Sequence, residues 1–93
     1  PAAIVKFKEF LATDTTDEFA YLYYGISLAS VGDMNGAIAQ VNHAIKLDPS
    51  RAEFYDVLIQ RYKATGNMQA AQQATGTRDE LMMQQQPPQE EAE

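Results

Sequence analysis

The sequence predicts an all-α fold of antiparallel helix-turn-helix repeats stacked as a short solenoid. Three observations point there. First, a pattern returns after 34 residues. Ala3, Phe7, Asp14 and Asp17 are followed by Ala37, Val41, Asp48 and Arg51, and Tyr21, Tyr24, Leu28 and Gly32-Asp33 by Tyr55, Leu58, Tyr62 and Gly66-Asn67. A fixed period of this length marks helical hairpins that bury their apolar faces by stacking. Second, no segment alternates as a strand does. Third, the breaks between apolar-periodic segments are short, which makes successive helices antiparallel neighbours.

The elements follow in order. The first helix runs from about Pro1 to Ala12, with proline tolerated in its first turn. Ile4, Phe7, Phe10 and Leu11 form its apolar stripe. The stretch Thr13 to Asp17 is a polar break rich in capping residues. The second helix spans about Glu18 to Val31 and ends at Gly32, which suits a left-handed C-cap. The third spans about Met34 to Leu47, with Ala37, Ile38, Val41, Ala44 and Ile45 as its apolar face, and stops at Asp48-Pro49-Ser50. Ser50 is expected to cap the fourth helix, about Arg51 to Thr65, which again ends at a glycine turn. The fifth begins near Met68; Gly76 weakens it by roughly 1 kcal/mol relative to alanine. Leu81, Met82 and Met83 offer a last apolar cluster. From Gln84 the composition turns to Gln, Pro and Glu, which predicts a disordered tail over 84–93.

Composition bounds the function. Apolar residues make up 45% of the 93, enough for one small core. The net charge is −6, and residues 1–85 carry seven Lys/Arg against ten Asp/Glu. No basic stripe exists to neutralise phosphates, so no nucleic-acid partner is expected. There is no cysteine, hence no disulfide or thiolate chemistry. No apolar run reaches the ~18 residues of a membrane span, and the sequence as it starts at Pro1 contains no signal-peptide pattern. A cytoplasmic protein is the expectation, unless the chain is cut from a longer one with a leader or anchor upstream.

The residues resemble a tetratricopeptide repeat. Tyr21, Tyr24-Gly25, Leu28, Ala37, Val41, Ala44 and Pro49 fall on that family's aromatic, Leu-Gly, Tyr, Ala, aromatic, Ala and Pro positions. The resemblance implies about two and a half repeats in a right-handed solenoid. Residues 1–17 hold the second helix of a partial preceding repeat, 18–51 a complete repeat, and 52–83 a degenerate C-terminal repeat with a capping helix. In the last of these Ile59, Thr75 and Arg78 depart from the pattern. Small residues at Gly25, Ala37 and Ala44 fit close helix approach, and Tyr21, Tyr24 and Leu28 fill the space between hairpins.

No catalytic residue and no cofactor or metal is expected. His43 is the only histidine, and it sits mid-helix without a motif beside it. Asp14, Asp17, Glu18 and Asp48 read as caps and helix-start charges. The resemblance implies a protein or peptide partner bound in a concave groove lined by first helices. The matching residues are Phe19, Leu22, Tyr23, Ile26 and Ala29, then Glu53, Asp56, Gln60 and Lys63. Leu22, Ile26 and Asp56 stand where some relatives clamp an acidic C-terminus, which argues against that ligand. The run Phe19 to Gly32 has no charged residue, so this helix is apolar on every side. Three covers for its groove face stay open: Leu81-Met82-Met83 folded back, a homodimer mate, or a partner segment. One piece of a longer solenoid is a further reading, and a small-ligand or metal regulator ranks last. On the groove reading, Leu22→Asp or Ile26→Asp should abolish binding with helicity intact.

Overall fold

The computed structural model describes residues 2–13 and 16–85. The helix start at Pro1, Asp14 and Thr15 of the polar break, and the tail from residue 86 onward lie outside the described residues. Among the described residues five helices form: α1 (Ala2–Thr13), α2 (Glu18–Ser30), α3 (Met34–Leu47), α4 (Ala52–Ala64) and α5 (Met68–Gln85). Each packs on its neighbour in the chain, α1 on α2, α2 on α3, α3 on α4 and α4 on α5. Such nearest-neighbour packing defines a solenoid, and the molecule is an elongated slab of 57 × 31 × 17 Å. Among the described residues no helix is long and apolar enough to cross a membrane.

The two glycine turns share one design. Gly32 and Gly66 take the left-handed conformation, with φ of 91° and 79°. The Gly32 N–H donates to the Ala29 carbonyl and the Asp33 N–H to the Leu28 carbonyl; Gly66 and Asn67 repeat this on Lys63 and Tyr62. These bonds satisfy the last carbonyls of α2 and α4. The residue after each glycine then turns round and caps the next helix. Asp33 Oδ1 accepts from the Gly36 N–H at 2.9 Å, and Asn67 Oδ1 from the Ala70 N–H at 3.2 Å.

The α3–α4 connection departs from expectation. Ser50 does not cap α4. Its hydroxyl donates to Asp48 Oδ1 at 2.7 Å and its N–H to the same oxygen at 3.3 Å. α4 begins at Ala52, so Ser50 lies one residue before the cap position, and its side chain turns back to the end of α3 instead. The cap position falls to Arg51, which makes no side-chain cap bond.

The core centres on α3. Ala37, Val41 and Ala44, and Phe54 facing them from α4, are fully buried. A Cβ built on Gly25 would lie 2.9 Å from Val41 Cγ2 and 3.0 Å from the Ala37 carbonyl oxygen. The small residue therefore sets the distance between α2 and α3, as the sequence suggested. In the next hairpin the bulky Ile59 takes the position of Gly25, and Ala71 and Ala74 from α5 belong to its cluster.

α5 does not falter at Gly76 but runs to Gln85. The Thr75 and Thr77 hydroxyls back-bond to the Ala71 and Gln73 carbonyls. Arg78 pairs with Asp56 of α4 at 2.7 Å, and the Gln85 side-chain amide donates to the Ser50 carbonyl. Leu81-Met82-Met83 thus continues straight along α4 rather than folding back over α2. Met82 and Met83 are 46% and 75% exposed.

The two mid-helix glycines should respond oppositely to alanine. Gly25→Ala gains helix propensity but forces α2 off α3, for a net loss of roughly 1–2 kcal/mol. Gly76→Ala meets nothing within 4 Å and should add up to about 1 kcal/mol. Thermal or urea unfolding followed by circular dichroism measures both.

Candidate interaction surface

The groove residues separate into buried and exposed sets. Leu22 is 6% exposed and Ala29 is buried, while Ile26 packs half-buried against the core. Leu22 belongs to the same cluster as Phe54, Leu58 and Ile59. The supposed groove face of α2 is thus largely spent on packing inside the protein. A helix apolar on every side finds cover on most sides. This corrects the expectation that Leu22→Asp would leave the fold intact, because it would bury an unpaired charge. Phe19 and Tyr23 do reach solvent, at 36% and 51% exposure. Asp56, Gln60 and Lys63 are exposed, but Asp56 is occupied by Arg78.

The open apolar surface lies one step toward the N-terminus. Between α1 and α2 is a hollow of about 390 Å³ lined by Lys6, Phe7, Phe10, Asp17, Phe19, Ala20 and Tyr23. The aromatic stripe of α1 supplies one wall and the start of α2 the other. Phe7 stacks on Tyr24, with ring centroids 6.3 Å apart and planes at 25°, and is half-buried. Phe10 is 42% exposed. Asp17 is not free to bind a ligand: its Oδ1 accepts the Phe19 and Ala20 N–H groups at 3.0 and 3.1 Å and caps α2.

Phe19 is held rigidly from behind. Its ring meets Phe54 edge to face at 5.5 Å, and the Arg51 guanidinium lies 4.6 Å from its centroid. Arg51 is itself anchored by Asp48 at 2.8 Å, with Glu18 at 3.8 Å and Glu53 at 3.9 Å. One side chain therefore ties the α3–α4 turn to the first turn of α2. The sequence reading missed both Arg51 and the α1 wall. The available signal was the aromatic pair Phe7 and Phe10 on α1, which among the described residues packs on α2.

α3 and the turn after it carry a hollow of about 620 Å³, lined by Ala39, Asn42, His43, Ile45, Lys46 and Pro49. Its polar lining groups are Asn42, His43 and Lys46, and it presents no exposed Phe or Tyr. His43 stacks on Tyr21 at 4.0 Å with the planes 15° apart, so its ring serves as packing for the first repeat position. Among the described residues no group of three or more His, Cys, Asp or Glu is placed to hold a metal.

No protein-family model matches the chain, and no curated protein matches it. Solved structures do. A crystal structure of MamA protein superposes with a TM-score of 0.82 at 24% identity, covering 86% of this chain and 44% of that one. The MamA MSR-1 C2 structure gives 0.81 at 16% identity, covering 86% and 46%. A mutant of MamA gives 0.77 at 17% identity, covering 81% and 55%. The chain spans about half the length of these solved chains. The likeness shows the fold, a tetratricopeptide-type helical repeat.

The Asp48 carboxyl is held below its ordinary value of 3.8, first by the Ser50 hydroxyl, against a smaller opposing effect of desolvation, and then by the Ser50 N–H and Arg51. A depressed carboxyl contributes stability above its unfolded value and loses it as pH falls through the folded one. Unfolding midpoints should therefore fall below about pH 4 more steeply in the native chain than in Asp48→Asn. Carboxyl NMR titration of Asp48 checks the direction directly.

Proposed function

We propose that this tetratricopeptide-type repeat is a protein-interaction module that holds a segment of another protein in the aromatic cleft between α1 and α2. The observation that carries the reading is the clustering of Phe10, Phe19 and Tyr23, all substantially exposed, around one hollow. Exposed aromatic residues at a concave, rigidly backed surface are the usual anchors of binding energy. Phe19 is fixed by Phe54 and Arg51, so little side-chain freedom is lost when a partner covers it. The polar positions Asp56, Gln60 and Lys63 lie outside this anchor and form at most its rim.

Self-association is the second reading, favoured by the same exposed Phe19 and Tyr23 together with Val31 on α2. Sedimentation at several concentrations separates the two. A monomer at all concentrations leaves only the partner.

Phe10→Asp and Tyr23→Asp should each weaken partner binding at least about tenfold, the loss of one buried aromatic anchor. Both residues are exposed, so the circular dichroism spectrum should not change. Leu22→Asp should instead lower the unfolding temperature sharply. Retained affinity in both cleft variants would sink the reading.

A further inference from the structure

We propose that the hollow on α3 is the docking site of the chain's own acidic segment, residues 86–93, held there chiefly by Lys46. This surface is separate from the α1–α2 cleft, and neither reading depends on the other. Position is the first support. The hollow is lined by residues of α3 and of the turn after it, with Lys46 and Pro49 at the turn end. Gln85, the last residue of α5, is fixed at that same turn, because its side-chain amide donates to the Ser50 carbonyl. Segment 86–93 therefore leaves α5 beside Ser50, the chain neighbour of Pro49 on the rim.

Reach and chemistry agree with position. Pro87-Pro88 favours the extended polyproline conformation, so the five steps from Gln85 to Glu90 span about 15 Å. Lys46 stands in the last turn of α3, and His43 lies ~5 Å further along the axis. Glu90 and Glu91 can reach both. Among the described residues Lys46 is in no ion pair, whereas Arg51 is taken by Asp48, Glu18 and Glu53, and Arg78 by Asp56 and Asp79. Lys46 also offsets the negative pole of α3, which would otherwise repel a carboxylate. Asn42 and His43, both exposed, add hydrogen-bonding groups, and Ile45 and Pro49 give the two prolines apolar contact. Contacts of this kind are individually weak. The short tether holds the segment at roughly millimolar effective concentration, so they close the hollow within one chain where a free peptide would not stay. Any residues beyond Glu93 leave the tether and these charges unchanged. The segment is thus an internal competitor for any acidic ligand of this face.

The test uses the full chain. It has no cysteine, so Ala92→Cys provides a single thiol for a nitroxide label. NMR should show the label broadening the amides of Ala39, Asn42, His43 and Lys46 while leaving Phe10, Phe19 and Tyr23 sharp. Lys46 is exposed, so Lys46→Glu should keep the helical spectrum and reduce the broadening at least about threefold, as should about 1 M salt, where charges are screened within ~3 Å. Adding Glu90→Lys and Glu91→Lys to Lys46→Glu should restore it. The proposal is overturned if the broadening is confined to the end of α5 and the turn at Ser50, or falls on the α1–α2 cleft. It is equally overturned if Lys46→Glu or high salt leaves the broadening unchanged, or if the charge exchange does not bring it back.

Discussion

The closeness of α2 to α3 governs the rest of the molecule. With no side chain at Gly25, the α2 backbone settles against the Ala37 carbonyl and the Val41 side chain. That contact fixes the first hairpin, and the hairpin presents the surface on which Phe54, Leu58 and Ile59 of α4 are buried. α4 in turn supports α5 through Ala71 and Ala74. In a nearest-neighbour stack each interface is the foundation of the next, so one missing side chain is felt as far as α5. The second hairpin carries Ile59 at the position of Gly25, where it shares its cluster with Ala71 and Ala74 of α5.

The cleft depends on this stack less directly, through Arg51. The guanidinium is drawn to Asp48 at the end of α3 and covers Phe19 at the start of α2. The cation, the Asp48 carboxylate and the two aromatic rings form one junction between repeats. Its outer face is the Phe19 wall of the cleft. Packing inside the solenoid and the shape of the candidate binding surface therefore share the same atoms.

Most of the architecture was legible from residue pattern. Periodicity located all five helices, the two glycines gave the tight turns, and Gly25 with Ala37 foretold the close approach. The failures have physical causes. Ser50 is a good capping residue in isolation, but capping propensity does not register that α4 starts one residue later, at Ala52, and leaves Ser50 outside the cap position. Gly76 counts against a helix by propensity, yet α4 supplies partners along the whole of α5, and tertiary contacts outweigh a local cost of about 1 kcal/mol. Leu22 was placed in a groove by position within the repeat. Position cannot say that Phe54 and Ile59, arriving from elsewhere in the chain, would enclose it. Phe10 was visible as an apolar residue, but its exposure follows from how few helices flank α1, which no local window contains.

The turns at Gly32-Asp33 and Gly66-Asn67 use one residue both to finish one helix and to begin the next, so neither contains a true loop. An α-helix advances about 100° per residue. A single insertion there would swing the whole apolar face of the following helix away from its partner. The stretch between α3 and α4 has no such double duty and holds Pro49 and Ser50 at the surface. Insertions are therefore better placed at the joint between hairpins than within a hairpin, where the two helices cannot change phase.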